Sequence, residues 1–386
     1  MIWKISKTQA LIAILVVASL YFRIIEINRP LWSDELITTR TTNVNPLLNP
    51  LYNGVSTNLP LFYYLVKIFE IITFGGINLR YLNLLIYICT ILFVFKKYEG
   101  LSQITKNALI LFLALSPLQI YYSIELRTYI LAQLLIIINF YYFQKKDLNI
   151  WFWITAYLMT LTHYSCFVYL LGIFIFYLIT NKSNWNQIYK FIMLGLFGLS
   201  ITYLISKNQG FADSTSTSVL SNNFSRFTID NLLENLLRLR EVISVYYNFG
   251  LHYYRVENEF LALIKKLTQI LTGCYIIYIF YNFRKNKEKI FNVLFIALLM
   301  NLAILLDLAG IMPFGGRYVF PFHFFFLLLL GYCFEVSEKI SKYLSYLLIL
   351  IFLVTYLSYD YCLAVSLDIF KGNNDPQGSI YKSCIK

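Results

Sequence analysis

The chain has 386 residues, of which 59% are hydrophobic and only 13% charged, and its mean hydropathy is +0.63. Soluble domains carry about 25% charge, so this composition excludes a soluble globular protein. The net charge of +12 would suit a nucleic-acid partner, but the basic residues are not gathered into a patch; they form short clusters between apolar runs, as in cytoplasmic loops of membrane proteins.

The N-terminal stretch "MIWKISKTQALIAILVVASLYF" has a basic start and an apolar core. It lacks a small-x-small cleavage site, and Arg23 and Glu26 follow it directly, so it reads as a retained membrane helix over 8–25 rather than a signal peptide. Further apolar runs lie at 80–95, 107–122, 127–143, 150–164, 166–180, 190–206, 266–283, 290–309, 317–334 and 343–363. A hydrocarbon layer about 30 Å thick is crossed by roughly 20 helical residues, and a backbone in lipid must satisfy its own hydrogen bonds. The expected fold is therefore an all-α polytopic membrane protein of about eleven transmembrane helices, forming one integral domain over 1–386.

The lysine and arginine clusters orient these runs. They comprise Lys4 and Lys7; Lys96, Lys97 and Lys106; Lys145 and Lys146; Lys182 and Lys190; Arg284, Lys285, Lys287 and Lys289; and Lys339 and Lys342. They fall on every second connection, so all can face the cytoplasm at once. This requires "LPLFYYLVKIFEIITF" (59–74), with Lys67 and Glu70 three apart on one helix face, to be interfacial or re-entrant. Counting it as a crossing gives twelve spans and turns Lys96 and Lys97 outward.

Two large extracytoplasmic loops follow, 26–79 and 207–260, with shorter outward connections at 123–126, 163–165 and 310–316, and the C-terminal tail is expected on the same side. "FADSTSTSVLSNNFS" (211–225) reads as a flexible loop, with a flap over a site as the alternative. No internal repeat and no linker to a soluble domain stands out. Cys89, Cys166, Cys274 and Cys333 sit in apolar runs as small hydrophobes, while Cys362 and Cys384 could pair in an oxidising compartment. His163, His252 and His323 have no metal-ligand spacing, so no metal site is predicted.

Polar motifs gather on the outward connections. "RPLWSDELITTR" places Trp32, Asp34 and Glu35 just past the first span. "PLQIYYSIELRTYIL" (117–131) carries Tyr122, Glu125 and Arg127, "LTHYS" (161–165) carries His163 and Tyr164, and "LLDLAGIMPFGGRYVFPF" (305–322) carries Asp307, Arg317 and Tyr318. Singly, these could be snorkelling arginines, belt aromatics or a core histidine. Together on one face they mark function, because ionisable groups at membrane depth are costly. The chemistry that needs them is group transfer from a membrane-anchored phosphate donor. Arg127 and Arg317 offer planar cationic forks for a phosphate, and Asp34 or Glu35 can accept the proton of an attacking hydroxyl. Gly315 and Gly316 beside Arg317 allow close backbone approach.

"WSDE", then "NLPLFYYL", "SPLQIYYSIELRTYIL", "THY" and "GGRYVFP" resemble segments of the GT-C glycosyltransferases. The branch resembled is that of the dolichyl-phosphate-mannose protein mannosyltransferases and the lipid A aminoarabinose transferases. The likeness covers roughly the first 180 residues and 305–322, while 207–260 matches no family segment. Relatives with two prolines before the aromatic pair differ from Leu59 and Pro60 here.

The resemblance implies an inverting sugar transfer from a polyprenyl-phosphate sugar at the extracytoplasmic face of the inner or plasma membrane. It implies Asp34 as base with Glu35 beside it, Arg127 and Arg317 on the donor phosphate, and a pocket of Trp32, Tyr122, Glu125, His163, Tyr164 and Tyr318. The acceptor is a lipid, a glycan or a protein, and a divalent cation could assist the phosphate. Adjacent positions point different ways, so one carboxylate is expected to face the acceptor and the other to serve structure or a cation. Two other classes compete: an envelope polysaccharide polymerase or ligase, and a lipid-linked sugar transporter. The transporter would need charge along the middle of several spans.

Overall fold

The computed structural model describes residues 7–28, 30–31, 33–43, 59–180, 185–208, 289, 291–296, 298–299, 302 and 320–340. These are predominantly helical, with no strand among the described residues. The helices are α1 (Lys7–Ile27), α2 (Ser33–Asn43), α3 (Leu61–Ile72), α4 (Arg80–Lys97), α5 (Gln103–Leu115) and α6 (Pro117–Ile124). They continue with α7 (Tyr129–Gln144), α8 (Ile150–Thr160), α9 (Ser165–Thr180), α10 (Trp185–Asn208) and α11 (His323–Ile340). Residues 291–296 are also helical.

Side-chain caps satisfy orphan amides at the starts of α5 and α8. Ser102 Oγ accepts from Thr105 N ahead of α5 (3.3 Å). Asn149 Oδ1 accepts from Trp151 N and Phe152 N ahead of α8 (3.0 and 3.2 Å).

Among the described residues, two helical stretches, Trp185–Leu204 and Phe320–Glu338, are by themselves long and apolar enough to cross a membrane. A third candidate is the pair α5 and α6, bent by 56° at its break, while α7, α8 and α9 are apolar but shorter. Several predicted runs thus end earlier than the sequence suggests. The 150–164 run stops as a helix at Thr160. The 59–74 stretch, expected to be interfacial or re-entrant rather than a crossing, forms the 12-residue α3, whose Lys67 and Glu70 pair at 2.7 Å. The runs 266–283 and 343–363 and almost all of the 207–260 loop lie outside the described residues, as does most of 290–309.

The predicted run 107–122 is broken, for a local reason. Pro117 biases Ser116 away from helical angles, and Ser116 sits at φ −63°, ψ 129°. Proline also lacks the N–H that would continue the ladder, so the end of α5 presents carbonyls inside the core. Arg23, on α1 and fully buried, supplies donors there. Its Nη1 donates to Ala114 O (2.9 Å) and to Ser19 O (2.9 Å), and its Nε donates to Ser123 Oγ on α6 (2.7 Å). The guanidinium carbon lies 3.9 Å from the Tyr87 ring centroid on α4, a favourable cation–π placement. One arginine therefore holds α1, both arms of the bent pair and α4.

α11 runs through the centre, buried along the whole of its apolar window, whereas the window in α10 is only 22% buried. α11 packs on α5 at Gly331, where a Cβ would stand 3.0 Å from Thr105 O, the close approach that small residues permit between helices. Around it aromatic pairs fill the core, among them Phe112–Phe334 (5.5 Å) and Phe140–Phe325 (4.9 Å). The outer faces of α1, α4 and α10 expose Val17, Leu92 and Leu199, an apolar surface of the kind that monomeric soluble proteins avoid.

The bundle has two chemically different ends. α4 and α7 run the same way: Asn83 Nδ2 donates to Arg127 O at one end (3.0 Å), and Tyr98 Oη donates to Ile137 O towards the other (2.9 Å). α11 begins beside α6, where Gln119 Nε2 and His323 Nδ1 are 3.1 Å apart. It ends beside α5, where Thr105 Oγ1 donates to Glu335 (2.9 Å). Arg80, residues 125–128 and Phe320 thus share one end, and Lys97, Lys145, Lys146 and Lys289 share the other.

Replacing Arg23 by Met leaves Ala114 O without its donor and should cost about 2 kcal/mol or more, the penalty for stranding a buried polar group. The check is the thermal unfolding midpoint in detergent. Arg23→Lys, which keeps a cation without the fork, should recover only part of the loss, and an unchanged midpoint in Arg23→Met would refute the clamp.

Candidate active site

The two carboxylates of the first motif lie on a helix rather than on an extended loop. Asp34 and Glu35 are the second and third residues of α2, where negative charge complements the helix dipole. Successive helical positions are about 100° apart around the axis, so the two occupy different faces.

Position 35 faces the core, and Glu35 is fully buried. Its Oε1 accepts from Arg80 Nε (2.8 Å) and from the backbone N–H of Leu126 (2.8 Å), and its Oε2 accepts from Arg80 Nη2 (2.5 Å). Arg80, itself fully buried, also donates to Ile27 O (2.8 Å) and Pro30 O (3.0 Å). A guanidinium is suited to this role because its fork is planar and always charged. Glu35 is thus a tie between α2, α4 and the α6–α7 junction. Asp34 is placed by its backbone alone, one position away.

The α6–α7 junction carries Glu125 and Arg127 and is fixed from three sides. Arg127 N donates to Glu125 O (2.6 Å), closing the turn. Asn83 Nδ2, one turn along α4 from Arg80, donates to the carbonyls of both residues. Thr128 Oγ1 donates to Thr162 O (2.9 Å), which brings in the "LTHYS" turn. That turn is joined to the "NLPLFYYL" segment in its own right, since Leu61 N donates to Leu161 O (2.9 Å).

Side chains follow the same convergence. Arg127, 8% exposed, lies with its guanidinium carbon 6.0 Å from the Tyr129 ring. Tyr129 meets His163 edge-on at 5.1 Å and Tyr122 at 5.3 Å, and Tyr164 lies 6.4 Å beyond His163. His163 Nδ1 accepts from Ser165 N (3.2 Å), so the imidazole caps the start of α9. Phe320, the first described residue of the "GGRYVFPF" segment, packs at a tilt on Tyr122 with ring centroids 4.4 Å apart.

The structure therefore brings together Glu35, Tyr122, Glu125, Arg127, His163 and Tyr164. Trp32, Arg317, Tyr318 and Asp307 lie outside the described residues. Two members of the framework were missed by sequence reading, Arg80 and Asn83. Their signal was present as a charged and an amide residue three apart opening an apolar helix, "RYLNLLIYI". Among the described residues no three His, Cys, Asp or Glu side chains are grouped to hold a metal ion. Chemically, the arrangement offers a guanidinium on an aromatic shelf for an anion, beside a helix start that carries a second carboxylate.

Breaking the Glu35–Arg80 pair from either side should cost about 3–5 kcal/mol, because a buried charge is left without its partner. Glu35→Gln and Arg80→Met are each expected to lower the unfolding midpoint sharply, and the double variant to be less damaged than the sum of the two. A double-mutant cycle in detergent reads this directly, and strict additivity would refute the tie.

Compared with family models, with curated proteins and with solved structures, the chain matches none.

Proposed function

We propose that the chain is a multi-pass membrane glycosyltransferase that moves a sugar from a polyprenyl phosphate to an envelope acceptor at the extracytoplasmic face. The observation that carries this reading is the meeting of the "WSDE", "IELR" and "THY" segments at the end of the bundle remote from the lysines. Its apolar outer faces and central α11 fit a chain of about eleven spans, in which the lysine end faces the cytoplasm.

In this reaction the acceptor hydroxyl oxygen attacks the anomeric carbon from the face opposite the phosphate. The bond between that carbon and the phosphate oxygen breaks, its electron pair staying on the phosphate, and the sugar configuration inverts. Asp34 takes the hydroxyl proton as general base. Polyprenyl phosphate leaves as an anion and needs no acid, but it needs a cation, which Arg127 supplies, with Arg317 as the second. Glu35, engaged on both oxygens, holds Asp34 and Arg127 in register by tying α2 to Leu126. The aromatic row Tyr122, Tyr129, His163 and Tyr164 lines the donor side.

The test is release of free polyprenyl phosphate by the purified chain in nanodiscs, given a panel of polyprenyl-phosphate sugars and an envelope extract as acceptor. One sugar should support release. Asp34→Asn should lower the rate about 10²–10⁴-fold with the unfolding midpoint unchanged, whereas Glu35→Gln should lower rate and midpoint together. Release that survives in Asp34→Asn would sink the assignment of the base, and no release from any donor would sink the transferase.

Membrane orientation has its own measurement. In a cysteine-free background, Gly76→Cys should react with an impermeant maleimide on intact cells, and Lys96→Cys only after permeabilisation. The reverse pattern would overturn the topology.

A further inference from the structure

The lysine end of the bundle contains a cavity of about 260 Å³ that sugar transfer does not use. It opens between the last turns of α4 and α7, the helical residues after 289, and α11. Four cations line it, Lys97, Lys145, Lys146 and Lys289, together with aromatic rings that include Tyr98, Tyr141 and Tyr332. Along α4 this end is about 25 Å from Arg80, at 1.5 Å per residue.

Its charge is organised. Lys289 is paired with Glu335, whose carboxylate also accepts from Ser102 Oγ (2.8 Å) and Thr105 Oγ1 (2.9 Å), which fixes the floor. Asn292 Nδ2 donates to Tyr332 Oη beside it (2.8 Å). The other three lysines are exposed at the rim. A hydrogen bond with Tyr141 raises the Lys145 ammonium above its ordinary pKa, with Glu99 and Asp147 adding to the shift from nearby. No carboxylate lines the cavity among the described residues, and Asp147 accepts from Asn149 Nδ2 (2.7 Å). A second cavity of about 400 Å³ adjoins it and shares Lys146 and Phe291, with Asp147, Thr180 and Gln187 on its wall.

We infer that this cavity is a binding site for the phosphate headgroup of an anionic lipid. Clustered ammonium groups select a phosphate by charge without demanding one geometry. A basic pocket between helices at the lysine-rich membrane face is where anionic headgroups concentrate. Of the lining tyrosines, Tyr141 is only half-buried and brings an amphipathic ring to headgroup depth. The adjoining cavity gives room for the glycerol that follows the phosphate. A soluble phosphate ester offers the same charge, but it lacks acyl chains to hold it against the exposed apolar flank of α4, where Phe95 lies in the last turn and Leu92 in the turn before it. The site does not depend on sugar transfer, only on the chain lying in a membrane.

Native mass spectrometry of the full chain in detergent measures it, with phosphatidylglycerol and phosphatidylcholine as probes. Wild type should retain phosphatidylglycerol about tenfold better. The triple variant Lys97→Gln/Lys145→Gln/Lys146→Gln should lose about tenfold of that binding, since each lysine near a headgroup contributes appreciably. A control that removes the same charge at the same end outside the cavity, Lys96→Gln/Lys106→Gln/Lys190→Gln, should change it less than twofold. Lys146→Gln alone, at an exposed position shared by both cavities, should weaken it about two- to threefold and gives the same reading if the triple variant folds poorly. Equal loss in the control would overturn the site in favour of a diffuse surface field, as would equal retention of the two lipids. Displacement of the lipid by millimolar glycerol 1-phosphate would overturn the lipid assignment and give the cavity to a soluble phosphate ester.

Discussion

Everything at the motif end depends on one buried ion pair. Glu35 and Arg80 exclude water from each other's charges, and isolated they would be intolerable in the core. Paired, they impose geometry, because each must find its remaining hydrogen bonds from a defined direction. Arg80 finds them in Ile27 O and Pro30 O, which fixes the path from α1 into α2. Glu35 finds its own in Leu126 N, which fixes the α6–α7 junction against α2. A hydrophobic pair of the same volume would fill the space without specifying where these three segments meet.

Arg23 applies the same logic at the break between α5 and α6. Proline leaves backbone acceptors without helical partners, and a low-dielectric interior makes each of them costly. Arg23 turns that cost into a junction by donating to Ala114 O and Ser123 Oγ at once. The bend lets α6 turn beneath the site, so that Glu125 and Arg127 follow immediately at its end. The two buried arginines are therefore parts of the site's foundation, and each fixes the segments from which the site's side chains arise.

The division of charge between the two ends completes the picture. Glu35, Arg80 and Arg23 at the motif end are engaged in internal ties, whereas Lys97, Lys145 and Lys146 at the other end lie on the surface. An ammonium on a flexible stem suits a hydrated rim, and a guanidinium fork suits a dry, directional junction. The same formal charge thus does different work at each end.

The sequence by itself determined the helical, apolar character of the chain, and it put the motifs and the lysines on alternate connections. Those features depend on composition and on local order, which need no partner. It also marked Asp34 and Glu35 as a pair whose members must point apart, since neighbouring side chains always do. Which of the two serves structure was decided only by tertiary contact, because Arg80 lies 45 residues away and Leu126 lies 91 away from Glu35. For the same reason Arg80, Asn83 and Arg23 read as ordinary residues of membrane helices, although the folded chain makes them its buried donors. Span lengths were overestimated where hydropathy ran through a break, as at Pro117, because an apolar average does not register a missing N–H. Local pattern set what each segment is, and long-range hydrogen bonding in a dry interior decided where each one sits.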